Sequence, residues 1–352
     1  MITQEAVLKA LSHVDDPDLR KDIVTLGMVE KLQIEGNTVS FDLVLTTPAC
    51  PMKDMILNAC KTALSVMVSK DVIPDIFVTS RVSTARNADE VLAGVRNIIA
   101  VASGKGGVGK STVAAALAIA LKHKGATVGL LDADIYGPSV PTLFDVHESP
   151  EMKLDGERQI MIPVEKQGIK LLSIGMMTTP DQAVIWRGPM ISSAFKQFIN
   201  DVEWGSLDYL IIDLPPGTGD VQITLSQLVP LTGVVIVTTP QEMALADARR
   251  AISMFKLPAI QKPIIGVVEN MAWFEPENLP GNRYYLFGSG GGKNLADEQN
   301  IPFLGELPLV PSVQQQADKG NISADDAHFA PFMAVAEEVA RRVSVLNSEK
   351  KT

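Results

Sequence analysis

The chain has 352 residues, 46% of them hydrophobic and 20% charged, with a net charge of −10 from 31 Lys plus Arg and 41 Asp plus Glu. Such a chain has room for two domains of roughly 100–200 residues and material for packed cores, which excludes global disorder. The acidic balance argues against nonspecific binding of nucleic acid or of an anionic membrane. The two cysteines, Cys50 and Cys60, exclude a disulfide scaffold, a four-cysteine zinc site and a self-contained four-cysteine iron–sulfur site within one chain. The first residues lack a basic region followed by an apolar run, and no stretch approaches 18 continuous apolar residues. The expectation is a cytoplasmic protein with no membrane contact.

Residues 1–82 are expected to form a small α+β domain. Ala6, Val7, Ala10 and Leu11 lie at helical spacing. Alternating segments follow on either side of Glu35-Gly36-Asn37, the signal of a hairpin. Pro51 opens a second helix carrying Met52, Met55, Ile56, Ala59, Cys60, Ala63, Leu64 and Met67, and Ile76–Ser80 closes the unit as a strand. Residues 83–96 are polar and weakly patterned, as a linker would be. From 97 to 352 the character changes. Apolar runs starting at Ile98, Thr127, Leu207, Gly233 and Pro263 alternate with helical segments. Continuous β-branched runs between helices predict an α/β fold with a mostly parallel sheet covered on both faces. An amphipathic helix over 331–346 ends the chain, with Glu337 and Glu338 balancing Arg341 and Arg342, which suits packing on its own domain.

The run Gly104-Lys105-Gly106-Gly107-Val108-Gly109-Lys110-Ser111-Thr112 follows one of these strands and opens a helix. Its spacing is that of a phosphate loop (P loop): glycines let backbone amides converge on phosphates, Lys110 reaches the outer phosphates, and the Ser111 hydroxyl suits Mg²⁺. Leu130-Leu-Asp132-Ala-Asp134 ends a second strand, placing carboxylates at the edge where α/β folds bind ligands. Tyr209-Leu-Ile-Ile-Asp213 is an apolar strand ending in an acid, suited to holding Mg²⁺ through water, and Gly217 beyond it can offer an amide to a γ-phosphate. Asp220 is expected to be no more than a helix cap or a loop charge. Asn270 ends a further strand. Phe287-Gly-Ser-Gly-Gly-Gly-Lys293 lacks phosphate-loop spacing and is expected to be a flexible connection.

The second lysine of the loop, Lys105, resembles that of the deviant Walker A ATPases, which include partition, Min-type and nitrogenase-iron-protein members. That resemblance implies a nucleotide-linked homodimer in which Lys105 reaches the partner's nucleotide, Asp134 orients the attacking water, Asp132 supports the Mg²⁺ shell and Asn270 reads the adenine. More specifically, VASGKGGVGKST, LLDADIYGPSVP, IWRGPM, YLIIDLPPGTGD, TTPQEMALADARRA, ENMAWF and FGSGGGK resemble the Mrp/ApbC family of P-loop ATPases that carry iron–sulfur clusters. DPDLRKDIVTLGMV and LTTPACP resemble the small iron–sulfur assembly domain that precedes the ATPase in bacterial members. The resemblance implies ATP and Mg²⁺ as cofactors, slow partner-gated hydrolysis, a transient iron–sulfur cluster as cargo, and scaffold or recipient apo-proteins as partners.

One departure stands out. Family members usually carry a Cys-x-x-Cys pair after the Asn-Met string, and residues 271–281 here contain no cysteine. Cys50, just before Pro51 at a predicted helix start, is then the candidate functional thiol, with its pKa expected to be lowered by the helix dipole. Cys60 lies on an apolar stripe and is expected in the core. A positioning ATPase of the partition or Min type, and an ATP-bound scaffold that does not turn over, are the alternatives. A reductase would need cluster cysteines that the chain lacks.

Overall fold

The computed structural model describes residues 2–86, 91–135, 137–177, 188–276, 279 and 281–350. The chain divides into two compact units, Met1–Ala85 with Ala340–Thr352, and Arg86–Val339.

The first unit runs α1 (Gln4–Leu11), β1 (Asp15–Asp16), β2 (Lys21–Asp22), β3 (Val29–Glu35), β4 (Thr38–Leu45), α2 (Lys53–Met67) and β5 (Ile73–Ser80). Thr3 caps α1 by accepting the Ala6 amide at 3.2 Å. The period-3.6 pattern buries Val7, Ala10 and Leu11 on α1 and Ile56, Cys60 and Leu64 on α2. The period-2 pattern of β4 buries Val39, Phe41 and Leu43 in the same core. Strand order is β3-β4-β5, with β3 antiparallel and β5 parallel to β4. This is the expected helix–strand–strand–helix–strand order, plus the two-residue β1–β2 ladder. Asp16 holds the turn in that ladder by accepting the Asp18 and Leu19 amides at 2.9 and 3.0 Å.

The end of the chain also belongs to this unit. Asn347 donates to the Ser83 carbonyl at 3.0 Å and accepts the Ala85 amide at 3.2 Å, and Arg341 pairs with Asp18 at 2.5 Å. The expected domain of 97–352 therefore differs from the compact unit, which stops at Val339. Amphipathic spacing reports that the final helix is buried on one face but not which residues cover it.

The second unit contains β6 (Val95–Ala102), α3 (Lys110–His123), β7 (Val128–Asp132), α4 (Val140–Leu143), the hairpin β8 (Glu151–Asp155) and β9 (Arg158–Ile162), then β10 (Val164–Lys166) and β11 (Ile169–Ser173). It continues through α5 (Gly188–Asn200), β12 (Leu207–Asp213), α6 (Asp220–Leu228), β13 (Gly233–Thr238), α7 (Glu242–Lys256), β14 (Ile264–Glu269), α8 (Gly291–Gln299), β15 (Phe303–Glu306), α9 (Pro311–Asp318) and the start of α10 (Ala330–Glu349). Eight strands form one sheet in the order β10-β11-β7-β12-β6-β13-β14-β15, parallel throughout except for β10. The five expected strands are its centre: β6, β7, β12, β13 and β14.

Helix α3 is buried along nine consecutive residues, Val113–Leu121, as a helix enclosed on all sides must be. Because the central strands are parallel and in register, their C-terminal ends share one edge. Asp213 pairs with Asp132 across β12–β7 and with Val101 across β12–β6. The nucleotide-type motifs of the sequence converge on that edge.

Candidate functional site

The loop 103–109 joins β6 to α3 with a geometry that two of its glycines make possible. A Cβ on Gly104 would lie 2.1 Å from the backbone of Asp247. Gly109 has φ +79°, and a Cβ there would lie 2.2 Å from the Asn270 side chain. Helix α3 starts at Lys110 with no side-chain cap, so its first amides and its dipole remain available to an anion.

Lys110 and Asp213 meet at the centre of the site. The Lys110 ammonium lies 2.5 Å from Asp213 Oδ1, 3.9 Å from Asp134 Oδ2 and 3.3 Å from Ser111 Oγ. Side-chain exposure is 6% for Lys110 and 0% for Asp213. Burial pushes the Asp213 carboxyl up, and the Lys110 charge and hydrogen bonds from Lys110 and Ser111 pull against it. Its second oxygen, Oδ2, is buried with no hydrogen-bond partner among the described residues. An orphaned carboxylate oxygen beside a serine hydroxyl, at an uncapped helix N-terminus, fits Mg²⁺ and a polyphosphate. Asp213 and Ser111 would hold the ion, the loop amides and Lys110 the phosphates.

Asp132, expected to support the Mg²⁺ shell, is engaged by four protein donors. Its Oδ1 accepts the Asp134 amide at 3.0 Å. Its Oδ2 accepts the Ser139 and Val140 amides at 2.9 and 3.1 Å and the Ser173 hydroxyl at 3.0 Å. Four donors occupy the carboxylate, so it pins the loop after β7 and sets Asp134 in place. Burial, reinforced by Asp213, pushes Asp132 up to about 6 despite these donors. Ser139 sits inside the LLDADIYGPSVP string with no role assigned to it there, and Ser173 lies outside every string read from the sequence. Asp134 is buried at the mouth of the site and accepts the Gly137 amide at 3.3 Å.

Gly217 and Asn270 are at the site but already engaged. The Gly217 amide donates to the Ser103 carbonyl at 2.9 Å, so it reaches a γ-phosphate only by leaving that acceptor. Asn270 donates its side-chain amide to the Val108 carbonyl at 2.8 Å and its backbone amide to Thr238 at 2.7 Å. It thereby ties the loop at Val108 to the end of β13. Lys105 is half-buried and its carbonyl accepts the Ser103 hydroxyl at 2.9 Å. Gly106 and Gly107 are exposed, Val108 is buried, and Ser111 and Thr112 are half-buried at the start of α3. Asp220 is the exposed first residue of α6, an ordinary first-turn acid.

Two expectations are corrected. The glycine-rich run at 288–292 is not a flexible connection but the entry to α8, with Gly290 at φ +72°. The Glu269 carboxylate, 0% exposed, accepts the Gly290 amide at 3.2 Å and also the Gly292 amide. An internal carboxylate thus occupies this helix N-terminus. The second correction concerns Cys50, whose pKa is raised, not lowered. Burial outweighs the pull of the Met52 and Lys53 amides, and Asp16 and Asp18 add to the rise. Cys50 is half-buried and lines a small cavity of about 10 Å³ with Asp16, Asp18, Thr47, Arg341 and Ser344. Cys60 is 0% exposed in the core, and burial raises it to about 11. Among the described residues no group of three or more His, Cys, Asp or Glu side chains is placed to hold a metal. No helix among them is long and apolar enough to cross a membrane. Ile185, Trp186 and Arg187 of the IWRGPM string lie outside the described residues, as do Glu277, Asn278 and Pro280 of the 271–281 segment.

Fold and site together define a P-loop nucleotide-binding protein with a small α+β unit at its N-terminus. Residues 94–344 match the family described as NUBPL iron-transfer P-loop NTPase, and residues 4–72 match the iron-sulfur cluster assembly protein family. The chain belongs to the iron-transfer P-loop NTPase family. It is 45% identical to an iron-sulfur cluster carrier protein of Synechocystis, over 98% of this chain and 99% of that one. It is 44% identical to the protein of the same name from Deinococcus radiodurans, over 97% and 96%. A nucleotide-binding protein from Archaeoglobus fulgidus, solved in complex with ADP, is 39% identical and superposes with a TM-score of 0.59, covering 71% of this chain and 97% of that one.

Proposed function

We propose that this chain is an ATP-hydrolysing carrier or assembly factor for iron–sulfur clusters that works as a nucleotide-switched homodimer. The observation that carries the nucleotide half is the buried Lys110–Asp213 pair with the orphaned Asp213 Oδ2. An ammonium and a carboxylate held this closely are the two charges that phosphates and a divalent cation would separate and satisfy. Bound Mg²⁺ would neutralise charge on the outer phosphates. Lys110 would turn from Asp213 to the phosphate oxygens, the start of α3 would hold them, and Asp134, set by Asp132, would orient water for attack. Lys105 would reach the nucleotide of a second copy, and Asn270 would sit against the adenine.

The cargo half is supported by the names of the full-length relatives and by the assembly-family match over residues 4–72. Without cysteines at 271–281, a cluster would be held by Cys50 from more than one chain or with a partner's ligands, for transfer to recipient apo-proteins. The acidic net charge does not favour a DNA-bound positioning role. The test pairs two measurements on the full chain. Mg²⁺-dependent phosphate release should fall strongly in Asp134→Ala. Anaerobic reconstitution should load iron and sulfide on the wild type and not on Cys50→Ala. Phosphate release that Asp134→Ala leaves unchanged rejects the catalytic assignment, and a wild type that takes up no iron rejects the carrier assignment.

A further inference from the structure

We propose that Gln222 is the pivot of the loop between Asp213 and α6, a positioning residue that confines the nucleotide-driven movement of that loop to residues 216–219. The proposal rests on the ATP reading above and assigns a part of the switch to a side chain outside the recognised motifs.

The loop has an unusual shortage of anchors. Leu214 extends the sheet by donating to the Val101 carbonyl at 3.0 Å, but Pro215 and Pro216 have no amide to donate. Gln222 supplies what the prolines cannot. It stands in the first turn of α6, is 1% exposed, and donates its side-chain Nε2 to the Pro215 carbonyl. Two residues further along the loop, the Gly217 amide donates to Ser103, whose hydroxyl in turn donates to the Lys105 carbonyl at 2.9 Å. Beyond Leu214 the loop is therefore tied, among the described residues, at two points of different kinds, one to α6 and one to the P loop.

These ties differ in what nucleotide does to them. The Ser103 tie uses the amide that a γ-phosphate would take, so the two acceptors compete for one N–H. Gly217 has φ +98° and no atom within 4 Å of where a Cβ would stand, so its peptide has room to turn. The Gln222 tie uses a carbonyl one residue pair upstream, which no phosphate attracts, so it persists while Gly217 turns. The other end of the same side chain reinforces this assignment. Gln222 Oε1 is buried with no partner among the described residues, an arrangement that native interiors seldom tolerate without a use. It is an acceptor held in reserve beside the moving segment, for a loop N–H other than that of Gly217, which the phosphate takes.

The test uses the full chain with Gln222→Met, which keeps size and helix propensity and removes both polar atoms. Affinities for Mg·ADP and for a non-hydrolysable Mg·ATP analogue are measured by calorimetry, with melting temperature and phosphate release alongside. Expected is an ADP affinity within about twofold of wild type, with the preference for the analogue over ADP reduced about tenfold or more and kcat falling while KM holds. Gln222→Glu, which keeps shape and an acceptor but has no donor, gives the same loss. An unchanged analogue-to-ADP ratio overturns the proposal. So does a joint fall of both affinities and the melting temperature, which would mark Gln222 as packing alone, and so does a wild type with no preference for the analogue. A wild type that prefers the analogue but releases no phosphate defeats the hydrolysis reading and leaves the pivot supported or overturned by the affinity ratio.

Discussion

Replacing Lys110 by Met in the nucleotide-free protein isolates the energetics of the site. The ammonium is 6% exposed and its partner Asp213 is 0% exposed, so the variant leaves a carboxylate facing neither water nor a countercharge. Removing one member of a buried ion pair costs about 3–5 kcal/mol. For a unit of roughly 250 residues, each kcal/mol lowers the melting temperature by about 2–4 °C, so the variant should melt on the order of 10 °C lower. The double variant Lys110→Met/Asp213→Leu should regain most of that loss, because well-packed apolar groups carry no desolvation penalty. The pH dependence has a definite sign. Burial already holds Asp213 above its ordinary value of 3.8, and loss of the Lys110 charge raises it further. A carboxyl whose folded pKa is raised binds its proton more tightly in the native state. Stability is then lost as pH rises from the ordinary value through the raised one. The single variant should therefore be destabilised more at about pH 8 than at about pH 5. Urea denaturation of all four proteins of the cycle reads these quantities. A single variant within about 1 kcal/mol of wild type, or a double variant no more stable than the single, would refute the claim that the pair is buried and mutually dependent.

Two other expectations follow from the contacts. Arg341→Ala should speed alkylation of Cys50 several-fold by opening the cavity that both line. Cys60 stays protected, and the wild-type rate has its pH midpoint above that of an ordinary thiol because burial and the nearby aspartates disfavour the thiolate. Mass spectrometry of the modified peptides distinguishes the two thiols, and an unchanged Cys50 rate contradicts the covering role of α10. Glu269→Gln should destabilise the P-loop unit by about 1–2 kcal/mol and speed hydrogen exchange at the Gly290 and Gly292 amides, since a neutral amide is a weaker acceptor at a helix N-terminus. Exchange rates equal to wild type at those two glycines would show that the carboxylate is not what holds them.

Much of the site was legible because its chemistry needs residue types in a fixed order along the chain. Gly104, Gly109, Lys110 and Ser111 are consecutive parts of one turn, and Asp213 ends a run that only a buried parallel strand explains. The parts that were not legible are those made by tertiary contact. The donors Ser139, Val140 and Ser173 that fill the Asp132 carboxylate come from two separate segments. Strands β10, β11 and β15 have three, five and four residues, too short to show a period, and β8 is exposed along its length. The rise in the Cys50 pKa depends on burial among Asp16, Asp18 and the last helix. Cys50 lies 32 residues after Asp18 and 291 before Arg341, so the sequence around its helix start offers no hint of that.

The two glycine-rich helix entries on this sheet edge are, in effect, a matched pair. Each presents a row of amides at the end of a parallel strand. At α8 the protein supplies the anion itself, through Glu269 on the adjacent strand, and the junction becomes a permanent structural joint. At α3 no carboxylate among the described residues caps the amides, and Asp213 at the end of β12 is turned to Lys110 instead. What separates a receptor from a joint here is not the glycine pattern but whether a neighbouring strand ends in a carboxylate that reaches the amides. Withholding that one side chain leaves the socket open to a phosphate arriving from solution.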